Sequence, residues 1–236
     1  MTADLKIVRI DPLRVQAENQ LRSAITSGAL AAGQKLIERE LCEALGISRP
    51  SLREALRRLE AEKLIINIPH RGPMVATVSV DEARDMYAVR RLLEGHAAAE
   101  CARNASDDQL RKLGDAVSQL RAGIRKKSRP DILAAKQQFY AALLDGCGNA
   151  LVADILGGLL SRISLLRSAS LLSDSRLPES LREIEAMLAA ITQRDAVRAQ
   201  KLAADHVANA EQAAMAVLTK TEDQDPHTTT NKRRKL

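Results

Sequence analysis

The chain has almost no aromatic residues: its 236 positions include two tyrosines, one phenylalanine and no tryptophan. Alanine, leucine, arginine and glutamate are common instead, and these residues favour helix over strand. A core of aliphatic side chains without aromatic anchors suits packing of helix on helix better than a β-sandwich. We therefore expect a mainly α protein, and the length allows two ordinary domains.

Cysteines and long apolar runs are also scarce. The three cysteines, Cys42, Cys101 and Cys147, are odd in number and widely spaced, so neither a disulfide framework nor a zinc site is indicated. No apolar run reaches about 18 residues, which argues against a membrane span. The first residues lack the apolar stretch of a signal peptide, so we expect a cytoplasmic protein without a membrane partner.

The charge balance permits nucleic-acid binding without indicating it. There are 36 basic and 30 acidic residues, a net charge of +6. Such a mild excess is compatible with DNA binding, but many proteins that bind no nucleic acid share it. The function must therefore be argued from local patterns.

Residues 1–75 have the pattern of a winged helix-turn-helix, in which three helices precede a β-hairpin. Apolar residues recur at helical spacing in three segments, and two short apolar stretches flank a turn rich in proline and glycine. We expect helices at about 14–27, 38–45 and 48–63, and strands at about 64–68 and 74–78.

After a linker at 76–80, the pattern is helical throughout and predicts an all-α antiparallel bundle over 81–218. Six segments are separated by polar breaks, at about 81–103, 106–127, 130–146, 149–172, 177–193 and 195–218. Residues 219–236 have no apolar face, and we expect a disordered tail there.

The third helix has the features of a DNA-recognition helix. Ser48 is suited to cap it and Pro50 lies in its first turn, while Arg49 and Arg53 share one face, where they suit guanine edges or phosphates. A glycine at the wing tip lets the backbone approach DNA closely. The expected DNA-binding residues are Arg39, Ser48, Arg49, Pro50, Ser51, Arg53, His70, Arg71 and Gly72. The alternative is a structural bundle with these arginines on a solvated face, which is the interpretation we favour for Arg57 and Arg58.

The segment LIERELCEALGISRPSLREALRRLEAEKLI, followed by HRG, closely resembles the N-terminal domain of the GntR family of bacterial regulators over residues 36–72. The resemblance implies DNA contacts at Arg39, Ser48, Arg49, Ser51, Arg53, Arg71 and Gly72. Lys63 stands where the family commonly has glycine, which predicts a less sharply defined end of the recognition helix.

Three later segments, 85–102, 139–152 and 184–207, resemble the FCD ligand-binding domain of the FadR-like subfamily, and six helices are typical of its shorter VanR-like branch. Many such domains bind a divalent metal through one aspartate and three histidines. Here Lys136, Tyr140 and Ile184 occupy three of those positions, and only His206 remains. One imidazole beside an ammonium group is too poor a donor set for zinc, so we expect neither a metal nor another cofactor.

Helical phase places polar groups from four helices within otherwise apolar stripes. Several cationic groups converging on one cavity would indicate an anionic occupant, most simply a small carboxylate effector. The expected effector-binding residues are Arg90, Lys136, Tyr140, Arg162, His206 and Asn209. The alternatives are that Arg90 pairs with Glu94 at the surface, that Lys136 reaches solvent, and that His206 packs in the core.

Together these features predict a ligand-responsive transcriptional regulator. We expect a homodimer on palindromic double-stranded operator DNA, repressing a catabolic or transport operon until a small anionic effector relieves it. An activator or dual regulator of the same family remains open. An enzyme with a fused helix-turn-helix is disfavoured, because no nucleophile–base pair, glycine-rich loop or metal cluster is evident. An RNA-binding or architectural protein that uses the basic NKRRKL segment is disfavoured by the missing aromatics.

Overall fold

A computed structural model describes residues 12–169 and 176–224 of the chain, and within these ranges it contains nine helices and one two-stranded sheet. The chain divides into two compact units between Thr77 and Val78. The elements are α1 Pro12–Ser27, α2 Glu38–Leu45, α3 Arg49–Ala61, β1 Ile65–Ile68, β2 Gly72–Val75, α4 Val80–Asn104, α5 Asp107–Lys126, α6 Arg129–Cys147, α7 Ala150–Ala169, α8 Leu177–Thr192 and α9 Ala196–Gln224. The predicted fold class, a winged helix-turn-helix followed by a bundle of about six helices, is confirmed.

The core of the first unit forms where α1 packs on α3. α1 buries one stripe of aliphatic side chains at helical spacing, and α3 buries Leu52, Leu56 and Leu59 against it. Ser48 caps α3: its hydroxyl accepts a hydrogen bond from the Ser51 N–H at 3.4 Å, as the sequence pattern predicts. This core fixes the start of α3 while its opposite face stays exposed.

The wing is an antiparallel hairpin in which Ile68 pairs with Gly72 next to the tip. It is joined to the turn before α2, a connection that the sequence pattern did not indicate. The Val75 N–H donates to the Gln34 carbonyl at 2.9 Å, and the Leu36 N–H donates to the Pro73 carbonyl at 2.9 Å. These bonds hold the wing in a defined place relative to the helix-turn-helix.

Lys63 follows the last turn of α3 in the left-handed conformation, with φ of 58°. The expectation of a poorly defined helix end is wrong, because the Leu64 N–H donates to the Leu59 carbonyl and the Lys63 N–H to the Glu60 carbonyl, both at 2.9 Å. These bonds satisfy the last carbonyl groups of α3 and define its end, although the left-handed conformation costs a lysine about 1 kcal/mol relative to glycine.

The second unit is built around α4, which contacts α6, α7, α8 and α9, while α5 packs against α6 and α8. Its main core is aliphatic, with Phe139 as a fully buried aromatic side chain. Side chains cap the starts of two helices: Ser106 and Gln109 form a capping box on α5, and the Asn149 side chain accepts hydrogen bonds from the first turn of α7.

The helices α4 and α6 approach each other closely at Gly146. A β-carbon on this glycine would lie 2.6 Å from the Cys101 sulfur, so a larger residue would push the helices apart. Cys101 and Cys147 are buried free thiols, and Cys42 is half-buried and also free. Burial raises the pKa of Cys101 to about 11, which keeps this thiol protonated and unreactive.

Helix α9 ends at Gln224, so the prediction of a disordered tail from residue 219 is wrong for its first six residues. Once a helix is formed, adding residues costs little, and the Thr219 hydroxyl bonds back to the Met215 carbonyl at 3.0 Å. The rest of that tail, 225–236, and the predicted last turn of the fourth bundle helix, 170–172, lie outside the described residues. Within the described ranges no helix is both long and apolar enough to cross a membrane.

Candidate functional site

The exposed start of α3 and the tip of the wing form the first candidate site. Arg39, Arg49 and Arg53 are all exposed, as are His70 and Arg71. The Ser48 and Ser51 hydroxyls lie 3.0 Å apart at the first turn of α3. This arrangement presents guanidinium and hydroxyl donors from a helix N-terminus, which is how a recognition helix meets base edges and phosphates.

Arg53 has a partner that the sequence interpretation missed. Its guanidinium donates to the Glu38 carboxylate through Nε and Nη2, at 3.1 to 3.2 Å, although 61% of the Arg53 side chain is exposed. Glu38 is the first residue of α2, so its separation of 15 positions from Arg53 hides the pair in the sequence. An exposed ion pair of this kind contributes little to stability and can exchange for a phosphate or a base.

The wing tip places a positively charged side chain beside a backbone turn. His70 and Gly72 both have positive φ, 65° and 82°, and the Arg71 N–H donates to the Ile68 carbonyl at 3.0 Å. Glycine adopts this conformation without strain, whereas His70 does so less readily. The turn therefore projects Arg71 from a defined backbone.

The second candidate site is a polar cluster inside the bundle, built on Arg90 and Glu94 one turn apart on α4. Both side chains are completely buried, and the Arg90 Nε donates to the Glu94 carboxylate at 2.8 Å. Arg90 Nη2 lies 2.6 Å from the Tyr140 hydroxyl, which also lies 3.4 Å from Glu94. The rings of Tyr87 and Tyr140 each have their centroid 5.6 Å from the guanidinium carbon.

The charge of Arg90 is retained inside the bundle. Burial by itself would lower the pKa of Arg90, but the Glu94 carboxylate together with Tyr140 and Tyr87 outweighs burial and raises this pKa above its ordinary value. One nitrogen, Arg90 Nη1, is buried without a hydrogen-bond partner among the described residues. Because a buried N–H without an acceptor is costly, this nitrogen marks a place where an acceptor would be stabilised.

A second polar group adjoins the first around Glu183 of α8. Its carboxylate accepts from His206 Nδ1 at 2.6 Å, from Asn209 Nδ2 at 2.8 Å and from Arg176 Nη2 at 3.0 Å. Partial burial opposes ionisation of Glu183, but the hydrogen bonds from His206 and Asn209 hold its pKa below the ordinary range. Burial lowers the pKa of His206 despite the Glu183 carboxylate, so the imidazole is neutral at pH 7 and donates through Nδ1.

The two polar groups lie near enough for the charges of Glu94 and Arg90 to act on the pKa of His206, in opposite directions. The described contacts place Arg90 and Tyr140 in the first group, and His206 and Asn209 in the second. Sequence reasoning missed three members, Glu94, Glu183 and Arg176. For Glu94 the sequence carries a signal: it follows Arg90 by four residues, a spacing that allows the two to pair, although the expected alternative was a pair at the surface.

One of the residues expected at this site is placed differently. Arg162 pairs with the Glu82 carboxylate near the start of α4, and its bonds among the described residues do not join it to Arg90. Lys136 is half-buried on α6, one turn before Tyr140. The expectation that several cationic side chains converge on one cavity therefore needs correction, because glutamates inside the bundle balance much of the positive charge.

Both units of the chain match known family models. The family model "Bacterial regulatory proteins, gntR family" matches residues 13–75, and that of the FCD domain matches residues 85–209, more than half of the chain. The chain belongs to the GntR family and carries an FCD domain. The members that it resembles are transcriptional regulators and not enzymes.

Among curated relatives, the HTH-type transcriptional repressor RspR of Escherichia coli K12 is 25% identical over 207 residues, which cover 88% of this chain and 91% of RspR. The uncharacterised regulator YdhC of Bacillus subtilis is 25% identical over 76% of this chain and 81% of its own. The solved structure of E. coli McbR/YncC matches with a TM-score of 0.79 at 24% identity, covering 90% of this chain and all of that one. A GntR-type protein from Rhodococcus sp. RHA1 matches with a TM-score of 0.76 at 19% identity, over 86% of this chain and 97% of its own. These structures support the fold.

The metal that many FCD domains carry does not fit the residues of this chain. At the corresponding positions, Ile184 is a core side chain, Tyr140 is bonded to Arg90, and His206 is bonded to Glu183. No group of three or more His, Cys, Asp or Glu side chains within the described ranges could hold a metal ion. The Arg90 guanidinium beside the cluster would also repel a divalent cation.

Proposed function

We propose that this GntR-family regulator is a homodimeric repressor that binds a palindromic operator through α3 and the wing and is released by a small carboxylate. The observation that carries the effector part is the buried Arg90, whose Nη1 has no acceptor among the described residues. The repressor part is supported by the similarity to RspR.

The DNA part uses the exposed donors of the first unit. Arg49 and Arg53 lie one turn apart at the start of α3 and would contact base edges or phosphates, with Arg71 and the Gly72 backbone contacting the flanking backbone. Ser48, Pro50 and Ser51 set the first turn, and Arg39 and His70 add contacts at its margins. A homodimer would place two such units on half-sites about one helical turn apart.

The effector part follows from the chemistry of the buried cluster. A carboxylate oxygen would accept from Arg90 Nη1 and, in place of the 3.4 Å bond to Glu94, from the Tyr140 hydroxyl, which lies beside it. Lys136 lies one turn away on α6, and the neutral His206 would offer its Nε2 as an acceptor to a hydroxyl or amide of the effector. A ligand that is acidic at one end and carries a hydrogen-bond donor at the other fits this set.

Ligand binding can be tested with the fluorescence of the two tyrosines, since Tyr87 and Tyr140 both flank Arg90 and the chain has no tryptophan. The full-length protein would be titrated with a panel of mono-, di- and hydroxycarboxylates, with and without EDTA, and its melting temperature followed in parallel. We expect at least one acid to change the fluorescence and raise the melting temperature independently of EDTA. It should also release the protein from a duplex selected from a random-sequence pool.

Two variants make this test specific. Tyr140→Phe removes a single hydroxyl and should weaken the affinity for the acid about tenfold, since a good hydrogen bond to a charged group contributes about 1.5 kcal/mol. Arg91→Gln, at an exposed position next to Arg90, should leave the response unchanged. No response to any acid would refute the carboxylate effector, and stabilisation by Zn²⁺ or Ni²⁺ that EDTA reverses would refute the metal-free site.

A further inference from the structure

The exposed large apolar side chains of the second unit are concentrated on one face. Val89 and Leu92 of α4 are 45% and 73% exposed, and Leu151 and Ile155 of α7 are 67% and 46% exposed. Among the described residues of this unit, Val197 is the remaining exposed side chain of this kind. Four such groups on adjacent helices form a patch that water solvates poorly.

The patch is continuous because α4 and α7 lie side by side and antiparallel. Glu82, near the start of α4, pairs with Arg162, towards the end of α7. At the opposite end, Ala97 of α4 shares a small apolar cluster with Val152, at the start of α7. The exposed apolar residues of the two helices therefore lie at the same level.

The exposed residues on one face of α4 form a stripe whose spacing is the same when it is read in either direction along the helix. Asp85, Val89, Leu92 and His96 are all exposed, and their spacing of four, three and four positions keeps them on one helix face. If a second α4 runs antiparallel across a twofold axis between Arg90 and Arg91, Val89 meets Leu92 of the other copy. Asp85 then meets His96 at both ends, so the face is complementary to itself in polarity as well as in shape.

The stripe on α7 has the same spacing. Leu151, Ile155, Gly158 and Arg162 are again separated by four, three and four positions, and their midpoint lies opposite that of the α4 stripe. Gly158 is exposed, and a β-carbon built on it would meet no neighbouring atom of the described residues within 4 Å. Glycine within an exposed helix costs about 1 kcal/mol, and here it would allow a partner helix to approach closely.

We propose that the α4–α7 face, defined by Asp85, Val89, Leu92, His96, Leu151, Ile155 and Gly158, docks on the same face of a second copy of this chain. Two helices about 30 Å long and together about 20 Å wide present about 600 Å², close to the roughly 800 Å² per partner of a stable interface. The pairing is isologous: each contact occurs twice about a twofold axis. It rests on the homodimer of the proposed function and specifies its surface.

The first test compares two matched substitutions in the full chain by sedimentation velocity over a range of concentrations. Leu92→Glu places a charge at the centre of the face, and Val197→Glu places it at an equally exposed position on α9, 77% exposed in the parent chain. We expect Leu92→Glu to be monomeric at concentrations where the parent chain and Val197→Glu are dimeric. Far-UV circular dichroism should be the same for all three.

The second test examines the antiparallel register by charge reversal. His96→Glu brings one glutamate against Asp85 of the partner at each end of the interface and should weaken dimerisation about tenfold or more, because like charges at an interface repel. Adding Asp85→Lys should restore dimerisation to near the parent value, although each substitution alone lowers complementarity.

The outcomes separate this inference from the proposed function. If the parent chain is dimeric and Leu92→Glu remains dimeric, the assigned face is wrong while the homodimer stands. If Leu92→Glu dissociates but the double variant is not restored, the antiparallel register is wrong. If the parent chain is monomeric at tens of micromolar, this face does not hold a second copy, and the homodimer of the proposed function fails with it.

Discussion

Arg53 of the first unit and Arg90 of the second each pair with a glutamate, but in opposite surroundings. The Arg53–Glu38 pair lies at the surface, with 61% of the arginine side chain exposed, whereas Arg90 and Glu94 are both completely buried. Water solvates the separated surface charges almost as well as the pair, so Arg53 can leave Glu38 at little cost. Inside the bundle neither charge has that alternative.

The difference matches what each unit is proposed to do. A DNA-reading arginine must exchange partners when the protein binds and leaves its operator, and a weak pair permits this. A ligand-sensing arginine must stay charged and oriented before the ligand arrives, and a buried pair with aromatic neighbours holds it in place. Under the proposed function, the same two residue types serve different roles because their burial differs.

The largest expected effect is that of Glu94→Gln, which leaves the Arg90 charge buried without its counter-charge. We expect a loss of about 3–5 kcal/mol in the free energy of unfolding of the second unit. Urea unfolding followed by tyrosine fluorescence measures it specifically, because both tyrosines lie in this unit. Arg90→Met combined with Glu94→Gln should recover part of the loss; a loss below 1 kcal/mol for Glu94→Gln would show that the pair behaves like a surface pair.

The next effect concerns DNA. Arg53→Ala should weaken binding to a duplex selected from a random-sequence pool by about 1–3 kcal/mol of binding free energy. The free energy of unfolding of the protein should stay nearly unchanged. Arg57→Ala is the matched control, because Arg57 is on the same helix and 75% exposed. Fluorescence anisotropy at several salt concentrations gives both affinities, and equal losses for the two variants would contradict a specific role of Arg53.

The free energy of unfolding should depend on pH through two groups of the bundle, His206 and Glu183. The pKa values of His206 and Glu183 are both below their ordinary values of 6.5 and 4.5, so the unfolded chain takes up protons more readily than the folded one. Each group therefore stabilises the folded protein fully above its ordinary pKa, and this contribution is lost as the pH falls. The contribution of His206 begins to fall below about pH 6.5, and that of Glu183 at lower pH. One proton contributes at most about 1.4 kcal/mol per pH unit.

His206→Gln isolates the histidine, since glutamine keeps an N–H donor for Glu183 but does not titrate. The difference in free energy of unfolding between the parent chain and this variant should fall as the pH is lowered from 7.5 to 5.5. A difference that stays constant over this range would mean that His206 has an ordinary pKa in the folded protein.

The smallest effect is expected for Glu38→Gln. Stability should change by less than about 1 kcal/mol, while DNA affinity should rise a few-fold, because Arg53 no longer has to leave a carboxylate. Glu43→Gln removes the same charge from an exposed position of α2 and serves as the control. A rise that is equal for both variants would be a general charge effect and not a release of Arg53.

Much of the fold could be predicted from the sequence because its signals are local. Ser48 before Pro50, Gly46 at the end of α2 and the regular aliphatic spacing each act within one or two helical turns. The effect of Lys63 could not be predicted, because a lysine adopts a left-handed conformation when the hydrogen bonds around it require one. Residues 219–224 were misjudged because helix propagation depends on the helix already formed, which an apolar pattern does not report.

The sequence by itself determined the family, the winged helix-turn-helix, the helical second unit and the exposed arginines of α3, because these depend on spacing along the chain. Only the tertiary structure decided which charges are compensated. Glu38 is brought to Arg53, Glu183 to His206, and Arg162 to Glu82, by contacts between residues 15 to 80 positions apart. The buried pair of Arg90 and Glu94 shows the same limit at short range: the spacing of four residues allowed them to meet, but only the packing of the bundle around α4 determined that they meet without water.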